Sequence, residues 1–553
     1  MKDNVIIIGS GLGGLECGYI LARNGFRVTV LEQDKHIGGC LQAFRRRGSD
    51  GVTHTFDTGF HYVGGLAEGQ CLYPLFSYLG LMDLPWIRLD DDCFDEVVFT
   101  GEQDSDGSDV RRFPFASGHE RFAERLAERF PSQMGNLKKY TDFLKDVGDN
   151  IFRAFSTDSD MSSLFGRSAY GFLEDTISDP LLRDVLSGTS LKLELNRETL
   201  PLYEFAQINN SFIQSAWRLG SVVSEGPENA TLSGGALIAD RLASSIRAMG
   251  GTVRTGARVT SIKINEDGSA AGVNVRFSSV RPVPASGVTT SPESGADIEF
   301  LPADWIISDA HPAVTVNLIE ECKAVRKIYR KRISGLKNTL GMFTANLILK
   351  PGTLPYQNRN IFVHRSGADL WVPGGSSTDS VMIHFYPTPD VSGSVPSSTG
   401  RPSTADETTC IDLLSPMSAD WDETWADARP KHRGDDYEAL KQKKLDECID
   451  LADSGLRNLL GGRFLRECID TAYTSSPLTW QSYTGIPGGS AYGIAKDWTN
   501  PMATVLSPHT PLPNLLMTGQ SLNLHGILGV SMTSVLTSSC ILGLDALTSE
   551  ILA

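Results

Sequence analysis

A glycine-rich loop near the start of the chain has the spacing G-x-G-x-x-G, which can hold the phosphates of a dinucleotide. The residues of this loop that we expect at a cofactor are Gly9, Gly11, Leu12, Gly13 and Gly14. The first glycine of the motif permits a tight turn, the second lets the backbone approach a pyrophosphate, and the third lets a helix pack against its strand. An apolar run at 5–8 precedes the loop, and we predict a helix over 15–24 whose N-terminus faces the phosphate charge.

An acid follows at the distance that this motif requires. Glu32 ends the alternating run FRVTVLE, 18 positions after Gly14, where a carboxylate can accept hydrogen bonds from both ribose hydroxyls. An acid in this place disfavours a ribose 2′-phosphate. We predict an ADP-bearing dinucleotide held by strand, glycine loop, helix, second strand and acid, with Gln33 beside it.

A second glycine pair favours FAD over a tightly bound nicotinamide. Gly38 and Gly39 follow Glu32 closely, where a flavin has to pass its ribityl chain and ring and a simple nicotinamide dehydrogenase needs no such pair. The sequence contains no second strand, G-x-G-x-x-G and helix unit. We therefore expect that NADH or NADPH, if it is the electron donor, visits only transiently, or that another reductant serves.

Five stretches together resemble the flavoprotein group that contains phytoene desaturases, carotenoid isomerases and retinol saturases, which are relatives of the amine oxidases. The stretches are residues 9–32 with the pair at 38–39, FDTGFHYVGG at 56–65, GGALIADRLASSIRAMGGTVRTGARVTSI at 234–262, SPLTWQSYTGIPGGSAYGI at 476–494 and PNLLMTGQSLNLHGILGVSMTSVL at 513–536. The resemblance implies an α/β fold of two domains, one a Rossmann-like FAD-binding domain and the other an interleaved α+β substrate domain. It also implies further contacts to FAD from Gly59, Val259, Gly519, Gln520, Gly529 and Val530.

The motif FDTGFHYVGG is closer to the retinol saturases than to the desaturases, which tend to have a proline near Phe60. Cys40 stands where the family usually has an arginine after the glycine pair, and this departure affects any phosphate or flavin contact assigned to that arginine. In the family this segment runs beside the flavin, so His61 and Tyr62 are the best candidates for a proton donor. His525 is a weaker candidate.

These features imply an FAD-dependent oxidoreductase that acts on a carbon–carbon double bond of an apolar, polyene- or isoprenoid-like substrate. In the retinol-saturase direction the bond is reduced, and the protein has to orient the alkene, exclude water and place one acid. The alternatives are a carotenoid or phytoene desaturase, a carotenoid isomerase, an amine oxidase, and a flavin- or lipid-binding protein without activity.

We expect two discontinuous domains. Residues 1–105, 226–330 and 471–553 would form the FAD-binding domain, and residues 106–225 and 331–470 the substrate domain. The second region contains amphipathic helices interrupted at Pro131 and alternating strands such as TANLILK and DSVMIHFYP. The polar stretches 101–109, 278–295 and 388–409 are predicted surface loops.

The composition limits which kinds of partner and ligand we expect this protein to bind. The formal charge of −16 disfavours nucleic acid, and the nine cysteines show no spacing typical of metal ligands, so we expect no metal site and reduced thiols. The N-terminus has no export signal, and the uncharged stretch 498–544 is broken by prolines, which favours a buried loop and helix over a membrane span. We expect a cytoplasmic protein in which peripheral membrane contact stays open; the sequence does not define an oligomeric state.

Overall fold

The fold is described from a computed structural model of the 553-residue chain. The described residues are 3–101, 110–149, 151, 161–223, 231–278, 298–372, 378–387, 407–418, 424–425, 428 and 432–553. The predicted loops at 101–109, 278–295 and 388–409 lie outside these residues except at their ends. None of the helices in the described ranges is long and apolar enough to cross a membrane.

The strands, in chain order, are β1 (Asn4–Ile8), β2 (Arg27–Leu31), β3 (Ala43–Arg47), β4 (Thr53–Asp57), β5 (Val63–Gly64), β6 (Trp86–Arg88), β7 (Asp95–Thr100), β8 (Val110–Phe115), β9 (Ala216–Leu219), β10 (Ser221–Val223), β11 (Thr231–Ser233), β12 (Thr252–Arg254), β13 (Ala257–Ile264), β14 (Ala270–Phe277), β15 (Ile298–Pro302), β16 (Trp305–Ser308), β17 (Gly341–Leu349), β18 (Asn360–Arg365), β19 (Ser380–Phe385), β20 (Cys410–Met417), β21 (Ile469–Ser475) and β22 (Leu515–Met517).

The α-helices are α1 (Leu12–Arg23), α2 (Tyr73–Tyr78), α3 (His119–Ala127), α4 (Met134–Gly148), α5 (Met161–Leu164), α6 (Ala169–Thr176), α7 (Pro180–Ser187), α8 (Leu202–Gln214), α9 (Gly235–Ala248), α10 (Pro312–Leu318), α11 (Lys327–Ser334), α12 (Asp435–Leu456), α13 (Leu465–Cys468), α14 (Pro477–Thr484), α15 (Pro501–Thr504), α16 (Gly526–Leu542) and α17 (Leu544–Leu552). Short 3₁₀ turns occur at Gly39–Leu41, Pro131–Gln133, Ser190–Lys192 and Pro487–Gly489.

A five-stranded parallel sheet forms the centre of the predicted FAD-binding region, in the order β12-β2-β1-β16-β22. Strands β1, β16 and β22 are mostly buried and apolar on both faces, as expected for a parallel sheet that is covered on both sides. Val5 and Ile7 face the core shared with α1, whereas Ile6 and Ile8 face the core of the antiparallel sheet β13-β14-β15. The result is a sheet between a helical layer and a second sheet, with the carboxyl ends of its parallel strands at one edge.

A seven-stranded sheet, in the order β21-β17-β20-β19-β18-β7-β8, forms the second large element. Its neighbours are antiparallel except β18 and β7, which pair in parallel. One face packs against α12 through a core that contains Ile361, Ile383 and Leu413. The other face carries Met342, Met382 and Leu414, so it is apolar where it meets the cavity described below.

The structure changes several sequence expectations. Helix α1 begins three residues earlier than predicted, at the glycine loop itself. Strands β12 and β13 follow each other along the chain but belong to different sheets, because Gly256 has a φ of +62° and turns the chain between them. The domain ranges stay a prediction; β7 and β8, which lie on either side of the expected boundary at 105, are paired in the large sheet.

Candidate active site

One cavity meets both large sheets and encloses about 2360 Å³, part of it open to solvent. The segments that follow β1, β2, β16 and β22 all line it, as expected for a ligand at the carboxyl ends of parallel strands. The predicted residues that line the cavity are Gly9, Gly11, Leu12, Gly13, Glu32, Gln33, Gly38, Gly39, Gly59, His61, Tyr62, Val259, Gly519, Gln520 and Val530. Gly14 and Gly529 lie behind the lining.

The glycine loop has the geometry that the motif predicts. Gly9 has a φ of +96°, a conformation that favours glycine. A Cβ on Gly14 would lie 2.3 Å from the carbonyl oxygen of Gly9, so this glycine allows α1 to pack against β1 and does not contact the cavity. The first turn of α1 directs its backbone N–H groups toward the loop.

Glu32 is tied to the same loop. The backbone N–H and the hydroxyl of Ser10 donate to Glu32 Oε2 over 3.0 and 2.7 Å, and the Asp34 N–H donates to Glu32 Oε1 over 2.8 Å. The carboxylate is therefore fixed at the cavity wall, where the motif places a ribose.

Three stretches of backbone approach one another around the loop. Gly38 and Gly39 have φ values of +109° and +55°, and a Cβ on Gly39 would lie 3.3 Å from the Cα of Gly11. Cys40 follows them in the cavity wall, and burial raises the pKa of its thiol to about 12. Cys40 is thus neutral and supplies none of the positive charge of the arginine that the family usually has.

The resemblance stretch at 513–536 reaches the cavity from the other side. Gly519 has a φ of +97°, and a Cβ on Gly13 would lie 3.1 Å from the Cα of Gly519. Gln520 and Val530 also line the cavity. Gly529 has a different role: a Cβ there would lie 2.3 Å from the carbonyl carbon of Leu524, so the glycine lets α16 begin close to the preceding loop.

Asp309 is a site residue that the sequence reasoning missed. It follows β16, lines the cavity and accepts hydrogen bonds from the backbone N–H groups of Gly11 and Gly14. Burial, together with the nearby charge of Glu32, raises the pKa of Asp309 to about 7. The signal was present in WIISDAHP, since an acid directly after a buried parallel strand lies at the ligand edge of the sheet.

The far end of the cavity is apolar. Its wall on the large sheet consists of Met342, Met382 and Leu414, and Leu191 from the 3₁₀ turn Ser190–Lys192 and Phe212 from α8 complete it. These side chains can hold an extended hydrocarbon and exclude water from it. Tyr483 is 54% exposed and also lines the cavity, which places it on the side that is open to solvent.

His61 has no partner within hydrogen-bond distance at either ring nitrogen, although only 8% of its side chain is exposed. Its Nδ1 lies 3.8 Å from Asp412 Oδ2, and its ring centroid lies 5.0 Å from that of His384. Burial lowers the pKa of His61 to about 4, so the imidazole is neutral at pH 7. A neutral imidazole can still act as a proton donor if it receives a proton at its other nitrogen.

The hydroxyl of Tyr62 is engaged elsewhere and is not placed to act as the proton donor. The hydroxyl donates to Asp95 Oδ2 over 3.0 Å, and burial raises the pKa of Tyr62 well above its ordinary value. Lys192, which also lines the cavity, lies 2.8 Å from the same carboxylate oxygen and 4.2 Å from the ring centroid of Phe212. These contacts assign Tyr62 and Lys192 to a buried ion-pair cluster and favour His61 over Tyr62 as the donor.

His525 is held by two partners. Its Nδ1 lies 2.8 Å from Glu204 Oε1, and its Nε2 lies 3.1 Å from the carbonyl oxygen of Lys192. Both ring nitrogens are therefore engaged, which explains the packing of the loop before α16 and leaves no ring nitrogen free to contact a substrate.

The cavity fits FAD by shape and by chemistry. Glycine backbones from the loops after β1, β2 and β22 approach so closely that side chains would fill the space between them. These glycine backbones line one side of the cavity, and Glu32 lies where a ribose would bind. From there the cavity continues past Gly59 into its apolar end. This order of glycine backbones, acid and apolar end matches an extended dinucleotide whose flat ring lies at the apolar end.

Comparison with known proteins agrees with this geometry. Residues 12–317 match the family described as flavin containing amine oxidoreductase. All-trans-retinol 13,14-reductase of Rattus norvegicus is 26% identical over 567 residues, which cover 98% of this chain and 86% of the relative. A Danio rerio protein named inactive all-trans-retinol 13,14-reductase is 22% identical with the same coverage.

The fold has relatives among solved structures. An oxidoreductase from Methanosarcina mazei superposes with a TM-score of 0.56 at 16% sequence identity, covering 96% of this chain and 98% of the other. At that identity the likeness shows the fold. It confirms the α/β fold expected from the resemblance, and the match to the flavin containing amine oxidoreductase family supports the flavoprotein part of that expectation.

Proposed function

The chain belongs to the family of flavin containing amine oxidoreductases, and we propose from this premise that it is an FAD-dependent reductase of carbon–carbon double bonds in an apolar, polyene- or isoprenoid-like lipid. The observation that carries the proposal is the similarity, over 98% of the chain, to all-trans-retinol 13,14-reductases. The apolar end of the cavity supports it, because a polyene can lie there away from water.

FAD would be held by the glycine loop, Glu32, the pair Gly38-Gly39 and the segment from Gly519. Bound FAD in its reduced form supplies the two electrons and one of the two hydrogens that a double bond takes up. The protein side chains orient the alkene against the sheet, exclude water and deliver the second hydrogen as a proton, for which we propose His61.

The electron donor is part of the proposal. NADH or NADPH would reach FAD from the open side of the cavity and leave again, because the glycine loops and Glu32 form a binding site for one dinucleotide. The half-reaction experiment below is repeated with each nicotinamide in place of the chemical reductant. Reduction of FAD by one of them would identify it as a donor.

The test is a half-reaction without oxygen. The FAD-loaded protein is reduced with dithionite and then mixed with all-trans-retinol, a carotenoid, an unsaturated fatty acid or an amine, while flavin absorbance and product mass are followed. We expect reoxidation of FAD with a polyene and a product heavier by two hydrogens.

The other outcomes contradict this proposal and identify the alternative. A product lighter by two hydrogens, formed by the oxidised protein, indicates a desaturase, and a new isomer of equal mass indicates an isomerase. Oxidation of the amine indicates an amine oxidase. Because a relative of equal coverage is named inactive, the test includes a fifth outcome: FAD that no substrate reoxidises indicates a binding protein.

Peripheral contact with a membrane is a second part of the proposal. Helix α11 and its flanks expose a basic patch in a chain of net charge −16, formed by Lys323, Arg326, Lys327, Lys331, Arg332 and Lys337. Ile328 on the same helix is 74% exposed. A cationic surface around an exposed apolar side chain suits an anionic lipid surface, and a lipid substrate would be supplied there.

We also propose that the protein works in the cytoplasm. All nine cysteines are free thiols, and six of them are buried, namely Cys17, Cys71, Cys93, Cys410, Cys448 and Cys468. Free thiols are typical of a reducing compartment.

A further inference from the structure

The face of the large sheet beneath His61 changes from apolar to polar. Asp412, His384 and Asn360 lie on neighbouring strands and share the face that carries Met382 and Leu414 further along. All three are buried. Their polar groups therefore lie under the cavity, although the mechanism proposed so far uses none of them.

Asp412 is held in one position by two donors. The hydroxyl of Tyr386 donates to Asp412 Oδ2 over 2.5 Å, and the amide of Asn346 donates to Asp412 Oδ1 over 2.7 Å. The backbone N–H of Asp57 in turn donates to the Tyr386 oxygen over 2.9 Å, which fixes the hydroxyl. Oδ2 is the oxygen 3.8 Å from His61 Nδ1.

His61 joins this carboxyl group to the cavity. Its side chain lines the cavity, is nearly buried, and has no hydrogen-bond partner at Nδ1 or Nε2. A buried polar group without a partner costs free energy, so it marks a position where a ligand or a proton transfer completes the hydrogen bonds. One nitrogen faces Asp412, and the other is available to the bound substrate.

We propose that Asp412 is the proton source for His61: the carboxyl group passes its proton to His61 Nδ1 while His61 Nε2 gives its own proton to the substrate carbon. The inference rests on the proposed function, because it needs the alkene reduction that the function supplies. Asp412 is a positioning residue, since it acts through His61 and does not touch the substrate.

The step balances in atoms and charge. The alkene gains two electrons and one hydrogen from reduced FAD at one carbon, and one proton from His61 at the other. The Nε2–H bond of His61 breaks as the Nδ1–H bond forms, so the imidazole stays neutral and changes tautomer. Asp412 is left as a carboxylate. Before the next turnover His61 Nε2 takes up a proton from water while Nδ1 returns its proton to Asp412, which restores both groups. The electrons come from dithionite in the test.

The charged and titratable groups that face this pair come from several elements. They are His384 and Tyr386 at β19, Asp57 at the end of β4, Cys410 on β20 and Arg218 on β9. Burial raises the pKa of Asp412 to about 7, and Tyr386 and Asn346 oppose that rise by stabilising the carboxylate. Burial and Arg218 lower the pKa of His61. The proton therefore resides on the carboxyl group between the pKa values of the two residues.

The sign of the pH dependence follows. Below about pH 7 Asp412 carries the proton, and above it the proton is lost, so the alkene-reduction step should slow as the pH rises through the pKa of Asp412. The Asp412→Asn variant should bind FAD normally but reduce the alkene about 100-fold more slowly. Its rate should no longer fall as the pH rises through about 7; we call this fall in the wild-type rate the pH limb. Tyr386→Phe should move the limb to higher pH, because the hydroxyl that stabilises the carboxylate is gone.

The test measures flavin reoxidation by all-trans-retinol in single turnover across pH 5 to about 9, a window chosen to bracket the pKa values of general acids that work near neutrality. Asp453→Asn is the matched control, because Asp453 is a buried acid on α12 at the other face of the sheet. We expect it to keep the wild-type rate and limb. His61→Ala should slow the step to the level of Asp412→Asn.

Infrared spectroscopy gives a readout without turnover. In the oxidised, FAD-loaded protein, the difference spectrum of the wild type minus Asp412→Asn should show a protonated-carboxyl band that disappears near pH 7, because other protonated acids such as Asp309 contribute equally to both proteins. Loss of the band at higher pH in Tyr386→Phe supports the assignment.

Two results separate the inference from the function. If the wild type reduces no alkene at any pH, the proposed function is wrong, and so is the proton relay from Asp412 through His61 to the substrate. If the wild type reduces retinol while Asp412→Asn keeps its rate and pH limb, or Tyr386→Phe leaves the limb unmoved, the relay alone is overturned.

Discussion

At the scale of single residues, Asp309 brings a carboxyl group to the point where the glycine loop would meet the pyrophosphate. Its oxygens lie so close to the loop that a Cβ on Gly11 would be 2.4 Å from Oδ2 and one on Gly13 would be 2.6 Å from Oδ1. Because a pyrophosphate is also negative, the two compete for the same backbone N–H groups unless Asp309 is protonated.

FAD affinity should therefore depend on pH. The pKa of Asp309 is raised to about 7 without the cofactor, and a nearby phosphate would raise it further. Below pH 7 the carboxyl group is already neutral and FAD binds without proton uptake; above it, binding has to add a proton. The dissociation constant measured by flavin fluorescence should then rise about tenfold per pH unit.

Asp309→Asn should remove this dependence and bind FAD more tightly at high pH. Glu16→Gln is the control, since Glu16 is a buried acid on α1, with a pKa raised to about 8, that does not line the cavity. A dissociation constant that rises with pH in Asp309→Asn as it does in the wild type would contradict the assignment.

At the scale of elements, the start of α16 determines how closely the C-terminal segment approaches the cavity. Gly529 in its first turn lies against the backbone of Leu524, where a side chain has no space. The neighbouring Val530 lines the cavity. A shift of the start of α16 would therefore also move Val530, which we expect to contact the cofactor.

Gly529→Ala should displace the first turn of α16, because the obstacle is backbone and cannot change rotamer. We expect a loss of unfolding free energy of about 1 to 3 kcal/mol, as for overpacked cores, together with weaker FAD binding. Urea unfolding and FAD titration measure the two effects.

Gly135→Ala is the matched control for that prediction. Gly135 is in helix α4 with open space around it. Alanine should stabilise a helix there by about 0.5 to 1 kcal/mol. Equal stability and FAD affinity in Gly529→Ala and the wild type would show that α16 tolerates the shift.

The elements around the cofactor were predictable because their signals are local. Turn, helix and acid lie within 9–32, so spacing alone predicts Gly9, Gly11 and Glu32 at one site. The distal polar groups were not predictable. Asp412 and His61 are 351 positions apart and meet only because the segment between β4 and β5 packs against the large sheet, a contact that periodicity does not reveal. The pairing of β7 with β8 across the expected boundary at 105 also depends on the order of strands in the large sheet.

At the scale of the whole molecule, the uneven distribution of charge suggests how the protein reaches its substrate. The net charge of −16 repels anionic lipid, whereas the basic patch around α11, where Ile328 is exposed, would attract it. The patch would therefore orient the protein as well as attach it.

The full-length protein should sediment with vesicles of phosphatidylcholine and phosphatidylserine, and less with phosphatidylcholine alone. Lys327→Glu with Lys331→Glu should weaken this binding at least about tenfold, since each basic residue near an anionic surface contributes about 1 kcal/mol. Added salt should weaken it as well.

Val372→Glu is the control, because Val372 is 60% exposed outside the patch. It should bind vesicles like the wild type. Equal binding of both vesicle types, or of the double variant and the wild type, would contradict attachment through α11.

The parallel sheet also constrains how the protein is synthesised. Its edge strand β22 and the helix α16, which packs against α1, come from the last part of the chain, whereas the glycine loop is made first. The growing chain therefore carries the phosphate loop on a sheet that stays open until the final residues are made. A premature stop before residue 515 would leave β16 as a bare edge strand, and such edges pair with other chains and aggregate.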